Sequence, residues 1–138
     1  MLFGKKKIIR HKIFNSGEIA EKRIPLDSAV VIKAGNKTLC LAHLKDGFFA
    51  VKNKCPHQGG PLGEGVISDK GEIICPWHKY SFDLKTGKDT GGLGDFVESY
   101  PVEISQDGLF ISLPQSSWKF FITFFFLLAF TFIINFCV

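Results

Sequence analysis

The sequence predicts an all-β fold, a small antiparallel sandwich or barrel with an inserted subdomain. Short β-branched and aromatic runs alternate with Gly, Asn and Asp turns, which is the hairpin signal. No stretch before residue 118 carries a sustained helical apolar period. Gly and Pro gather in one central segment that interrupts the hairpins.

The elements follow in order. One short helical turn is expected near Gly17-Glu18-Ile19. Ala29-Val30-Val31-Ile32-Lys33 reads as a strand that turns at Gly35-Asn36. Thr38 to Leu44 is a second strand, turning at Lys45-Asp46-Gly47. Phe48-Phe49-Ala50-Val51 is a third, running toward Cys55. Residues from about 53 to 83 form the inserted subdomain, with Ile73-Ile74 as a strand delivering Cys75. The pattern resumes with Tyr100 to Ser105, a turn at Gln106-Asp107-Gly108, and Leu109 to Leu113.

At 138 residues the chain is long enough for a real core without disulfide staples. It divides into a basic N-terminal segment (1–9), a domain (10–114) and an apolar tail (118–138). The formal net charge is +4, much of it at Lys5, Lys6, Lys7, Arg10 and Lys12. These charges read either as a solvated end or as a surface for anionic lipid or an acidic redox partner. No aromatic residues interleave with them in a recognisable module, so nucleic acid is not an expected partner. Of the four cysteines, Cys40 lies in a strand-like run and reads as a small core residue. Nothing suggests a disulfide framework, and no apolar leader or twin-Arg pair precedes the domain. A reducing, cytoplasmic setting fits both facts.

The tail is read separately. Phe120 to Val138 has no charged residue and holds Cys137. As a helix it would span roughly 28 Å, close to the ~30 Å hydrocarbon core of a bilayer. Trp118 and Lys119 stand before it as an interfacial anchor, and the positive-inside rule puts the domain on the cytoplasmic side. A C-terminal transmembrane helix is therefore expected. A core helix for a missing partner, a β-prone segment and an aberrant gene end are the alternatives.

Chemistry concentrates in Cys55-Pro56-His57 and Cys75-Pro76-Trp77-His78. Each supplies one thiolate and one imidazole. Two Cys and two His suit a [2Fe–2S] cluster with Cys on one iron and His on the other. Zinc takes the same ligand set, but its fingers usually pair Cys with Cys and His with His. Replacing two thiolates by neutral imidazoles makes the oxidised site neutral, so an electron is added more easily. Such centres span about −150 to +300 mV, against about −400 mV for four-thiolate clusters. The free imidazole N–H groups can lose protons, so the potential is expected to depend on pH.

These residues resemble the Rieske family. The carriers are Cys55-Pro56-His57-Gln58-Gly59-Gly60-Pro61-Leu62, then Cys75-Pro76-Trp77-His78-Lys79-Tyr80-Ser81-Phe82-Asp83 with Thr86-Gly87. The resemblance covers roughly residues 10 to 114. It implies a Rieske-like antiparallel sandwich, Cys55 and Cys75 on the inner iron, and His57 and His78 on the outer iron where partners dock. The cytochrome bc branch carries an extra Cys in each loop; those places are Gly60 and Trp77 here. That branch also donates Ser and Tyr hydroxyls toward the cluster. The matching positions are Tyr80 and Phe82, with Ser81 adjacent, and fewer donors imply a potential in the lower part of the range. Trp77 and Leu62 read as apolar shielding or as a partner contact. His11 and His43 read as ordinary strand or surface residues.

The expected function is one-electron transfer from a flavoprotein reductase to a terminal oxygenase or reductase. No catalytic residue, nucleophile or second metal is expected in the chain itself. The oxygenase subunits of this superfamily need a further His/His/carboxylate iron site, and no His, Asp or Glu follows residue 114. A small subunit of NAD(P)H nitrite reductase or of an aromatic-ring dioxygenase is the second reading, and a redox-sensing cluster protein the third. A neighbouring gene for a flavoprotein–sirohaem subunit or an oxygenase separates the first two. Slow electron exchange with every candidate reductase would favour the third.

Overall fold

Ten strands, one α-helix and a short 3-10 helix (Leu62–Glu64) make up the fold in a computed structural model that describes residues 5–115. The strands are β1 (Ile8–Phe14), β2 (Ser28–Ala34), β3 (Lys37–Leu44), β4 (Gly47–Lys52), β5 (Val66–Ile67), β6 (Glu72–Ile74), β7 (Ser81–Asp83), β8 (Ser99–Tyr100), β9 (Val102–Ser105) and β10 (Gly108–Pro114); α1 is Gly17–Arg23. They form three sheets, ordered β1-β10-β9, β2-β3-β4-β8 and β5-β6-β7. Ile9–Leu113 is one compact unit. A second unit, Met1–Ile8 with Pro114–Val138, lies mostly outside the described residues; within it the Gln115 N–H donates to the Lys7 carbonyl.

The expected hairpins are present. Ala34 pairs with Lys37 around Gly35-Asn36, and Leu44 pairs with Gly47 around Lys45-Asp46. Ser105 pairs with Gly108 around Gln106-Asp107. Each loop has two residues, so Gly47 and Gly108 open their strands rather than close the turns. Ser16 caps α1 by accepting from the Ile19 N–H at 3.1 Å. Glu18 and the Lys22–Arg23 pair suit the two ends of its dipole.

Strand β3 organises the interior. Alternate side chains of a strand face opposite sides. Leu39 and Leu41 enter one core with Ala20, Ile24, Leu109 and Ile111. Cys40, Ala42 and Leu44 enter a second core with Leu62, Ile73, Phe82 and Leu84. The second core joins the main sheet to the β5-β6-β7 subdomain, where Cys55 and Cys75 lie. Cys40 is therefore a buried packing residue, as expected.

Three elements depart from the sequence reading. The domain was expected from residue 10, but β1 starts at Ile8. Its exposed and partly buried residues alternate, and Arg10 and Lys12 occupy the exposed face. The Arg10 guanidinium lies 3.7 Å from the Phe110 ring centroid and 2.9 Å from Glu103. Part of the basic N-terminal charge thus serves sheet packing instead of forming a free patch. The second departure is β7, which carries Ser81 and buried Phe82 and pairs with β6. The third is Tyr100 to Ser105, which divides at Pro101 into β8 and β9 because Pro has no N–H for a ladder. The transmembrane helix expected over 118–138 lies outside the described residues. Among those described, no helix is long and apolar enough to cross a membrane.

Candidate metal centre

The two motif loops are structural duplicates. The Cys55 N–H donates to the Gly60 carbonyl at 2.9 Å, and the Gly59 N–H donates back to the Cys55 carbonyl at 2.9 Å. In the second loop the Cys75 N–H donates to Tyr80 O at 2.7 Å, and the Lys79 N–H to Cys75 O at 3.1 Å. A bridge between Lys54 and Pro61 closes the first loop; Ile74 paired with Ser81 closes the second. Gly59 and Lys79, at the same place in each, both take left-handed backbone, φ 80° and 62°. Glycine adopts this freely, whereas Lys79 does so against a cost of roughly 1–2 kcal/mol. The sequence carried a trace of this repeat in its two Cys-Pro pairs, but the glycine-to-lysine change obscured it.

The loops bring their thiols together. Cys55 and Cys75 are 2% and 1% exposed, and both are free thiols. Burial pushes the Cys55 thiol above its ordinary range, and the neighbouring Cys75 adds to the rise. His57 follows its cysteine closely, with Nδ1 3.6 Å from Cys55 Sγ. Its ring stacks on Tyr80, with centroids 3.5 Å apart and planes 7° from parallel. Phe82 stands at 6.0 Å from the same ring. His78 is exposed, and its ring centroid lies 6.3 Å from that of Tyr80. The site thus grades from buried thiols through a largely covered His57 to an exposed His78.

The surroundings are tight on one side and open on the other. A Cβ at Gly60 would lie 2.7 Å from Cys75 Sγ and 3.3 Å from the Trp77 ring. Leu62 is fully buried beneath the loops, which fits shielding. Trp77 is 58% exposed, so its outer face is available for contact while its inner edge covers Gly60. Ser81 does not supply a hydroxyl toward the thiols; its Oγ shares a hydrogen bond with Thr90 Oγ1 at 2.5 Å. Phe82 is fully buried and carries no donor. His43 and His11 stand apart from the loops' chemistry. His43 Nδ1 lies 2.7 Å from Ile24 O, and its ring stacks on Phe48; the His11 ring lies against Gly35.

Sequence reasoning missed Asp95, whose Oδ2 lies 3.0 Å from His57 Nε2. No motif marked it, because it arrives from a separate glycine-rich loop. The contact falls within ion-pair range, yet Nε2 is buried without an aligned hydrogen-bond partner. The carboxylate therefore lies off the N–H direction.

These features fit an iron–sulfur cluster. Paired thiols in an apolar pocket are poorly placed as free thiolates, and a bound metal deprotonates a coordinating thiol outright. Gly60 leaves space beside Cys75 Sγ that even a methyl group would fill. Each loop offers one Cys and one His, and a [2Fe–2S] cluster asks each iron for two protein ligands.

Comparison with known proteins agrees. Residues 12–92 match the Rieske [2Fe-2S] domain family. The 3-phenylpropionate/cinnamic acid dioxygenase ferredoxin subunit of Escherichia coli strain K12 is 33% identical over 79 residues, which cover 56% of this chain and 74% of that protein. Among solved structures, the ferredoxin of carbazole 1,9a-dioxygenase from Nocardioides aromaticivorans IC177 superposes with a TM-score of 0.63 at 20% identity. The alignment covers 76% of this chain and 96% of that one. A protein described as an NADH-dependent nitrite reductase small subunit from Mycobacterium tuberculosis gives 0.67 at 19% identity, covering 80% and 99%. At these identities the two structural likenesses establish the fold.

Proposed function

This chain belongs to the Rieske [2Fe-2S] domain family, and on that premise we propose that it is a one-electron carrier between redox proteins. It holds one Rieske-type cluster, which when bound accepts and releases a single electron. Cys55 and Cys75 would hold the inner iron, and His57 and His78 the outer. The observation that carries this assignment is the pair of duplicate loops, each placing a buried cysteine beneath a more exposed histidine.

The chain's own residues divide the work. Leu62, Ile73 and Phe82 exclude water from the thiol side. Tyr80 holds the His57 ring flat. His78 and Trp77 are exposed, so the partner is expected to dock over this rim. The acceptor we favour is a ring-hydroxylating oxygenase, since the E. coli relative is a dioxygenase ferredoxin subunit. The likeness to the nitrite reductase small subunit supports the second reading at the level of fold.

Stopped-flow mixing separates the two. Cluster-loaded protein, reduced by a flavoprotein reductase, is mixed with a ring-hydroxylating oxygenase or with a nitrite reductase large subunit. Re-oxidation within the turnover time of the oxygenase supports the first reading; re-oxidation by the nitrite reductase alone supports the second. Slow exchange with both would overturn the carrier assignment.

The tail is part of the proposal on its sequence alone. Residues 118–138 would anchor the domain to the cytoplasmic face of a membrane. Recovery of the full chain in the soluble fraction without detergent would contradict this.

A further inference from the structure

We infer that Asp95 acts through His57, its carboxylate charge holding the reduction potential down. This rests on the reading of His57 as an iron ligand. The two ring nitrogens face different neighbours: Nδ1 lies 3.6 Å from Cys55 Sγ, and Nε2 lies 3.0 Å from Asp95 Oδ2. Tyr80 covers one ring face and so restricts tilting. Asp95 stands at the ring's outer edge, within ion-pair distance of Nε2 and off the N–H direction, so it acts on the ring by its charge.

The loop that carries Asp95 is built to deliver it. Thr90-Gly91-Gly92-Leu93-Gly94 would be loose on composition, because three glycines leave the backbone many alternatives. Asp89 closes the loop. Its carboxylate accepts from the Gly91 N–H at 3.0 Å and the Leu93 N–H at 2.6 Å. Its own N–H donates to Asp95 O at 2.9 Å. Bridges from Phe82 to Asp89 and from Lys88 to Phe96 fix both ends. Asp89 holds the loop, and its charge also reaches His57; Asp95 is the carboxylate in contact with the ring.

A carboxylate beside the outer nitrogen of a metal-ligating imidazole adds electron density to the centre through its charge. Its negative charge also favours the oxidised, more positive state of the centre over the reduced one. Solvent weakens the effect, since the Asp95 side chain is 51% exposed. His57 lies within ion-pair distance of a carboxylate, whereas His78 is exposed at the rim. The two imidazoles are accordingly inequivalent, with His57 restrained and His78 open.

The test is an EPR-monitored redox titration of the full, cluster-loaded chain at one fixed pH. Asp95→Asn should shift the reduction equilibrium toward the reduced state by roughly tenfold, about 59 mV upward for one electron. It should also change the nitrogen hyperfine coupling of one imidazole and leave the other. Asp95→Glu should restore most of the wild-type value. Asp95→Ser removes the same charge with a smaller side chain, and it decides the matter if Asp95→Asn does not load. Asp107→Asn, on the exposed β9–β10 turn, controls for net charge and should leave the midpoint in place. An unshifted Asp95→Asn, an equal shift in Asp107→Asn, or (where Asp95→Asn fails to load) an unshifted Asp95→Ser overturns the inference. Lack of any Rieske signal in the wild-type chain would instead overturn the ligand reading.

Discussion

The imidazole of His57 lies flat on the ring of Tyr80, 3.5 Å between centroids and 7° from parallel. Tyr80 is also the residue whose carbonyl accepts from the Cys75 N–H. One residue thus ties the histidine of the first loop to the backbone of the second. A stack of this kind contributes about 0.5–1.5 kcal/mol beyond its buried area. Tyr80→Leu should therefore shorten the half-life of the cluster's visible absorbance against a chelator by roughly two- to tenfold. Tyr80→Phe keeps the stack and should match wild type. Equal half-lives for Leu and Tyr would show that the stack contributes nothing.

Gly60 should not tolerate a side chain. Its added Cβ would approach Cys75 Sγ to 2.7 Å, with the Trp77 ring at 3.3 Å behind it. Gly60→Ala should retain the β fold by far-ultraviolet circular dichroism but lose most of its iron. Iron and acid-labile sulfide per chain give the reading. Full loading would mean that Trp77 swings aside freely.

Much of the fold was legible because hairpins announce themselves locally. Gly35-Asn36 and Lys45-Asp46 between apolar runs located three strands to within a residue or two. The two motif loops were legible because each sets a Cys and a His two or three residues apart. Strand β1 was hidden by charge, since Arg10 and Lys12 gave its exposed face the look of a basic tail. What stayed out of reach was nonlocal. The Tyr80 stack on His57 joins two loops, and Asp95 reaches His57 from a third. No periodicity or motif encodes such a meeting.

Cys40 should be inert toward thiol reagents in the folded protein. Burial pushes its thiol from 9.0 up to about 12. The sign for stability follows from proton release. Above pH 9 the unfolded chain loses the Cys40 proton while the folded chain keeps it, so alkali favours unfolding. From about pH 9 to 12 this group should remove about 1.4 kcal/mol of stability per pH unit. Denaturant titrations of wild type and Cys40→Ala across that range should show a shallower alkaline decline in the variant. Parallel declines would contradict the assignment.

The midpoint potential should fall below about +150 mV, in the lower part of the Rieske span. Ser81 is hydrogen-bonded to Thr90, and Phe82 has no hydroxyl to offer. Fewer donors near the sulfurs leave the added negative charge less stabilised. A titrated midpoint well above that value would mean that a donor reaches the centre from elsewhere.

The ligand set is the central claim, and EPR of the dithionite-reduced, iron-loaded chain tests it most directly. Two imidazoles on one iron lower the average g value from that of a four-thiolate cluster and add hyperfine couplings from two nitrogens. That spectrum is expected, with its loss in Cys55→Ser, Cys75→Ser, His57→Ala and His78→Ala. An EPR-silent protein carrying one zinc per chain, or a four-thiolate signal, would contradict it.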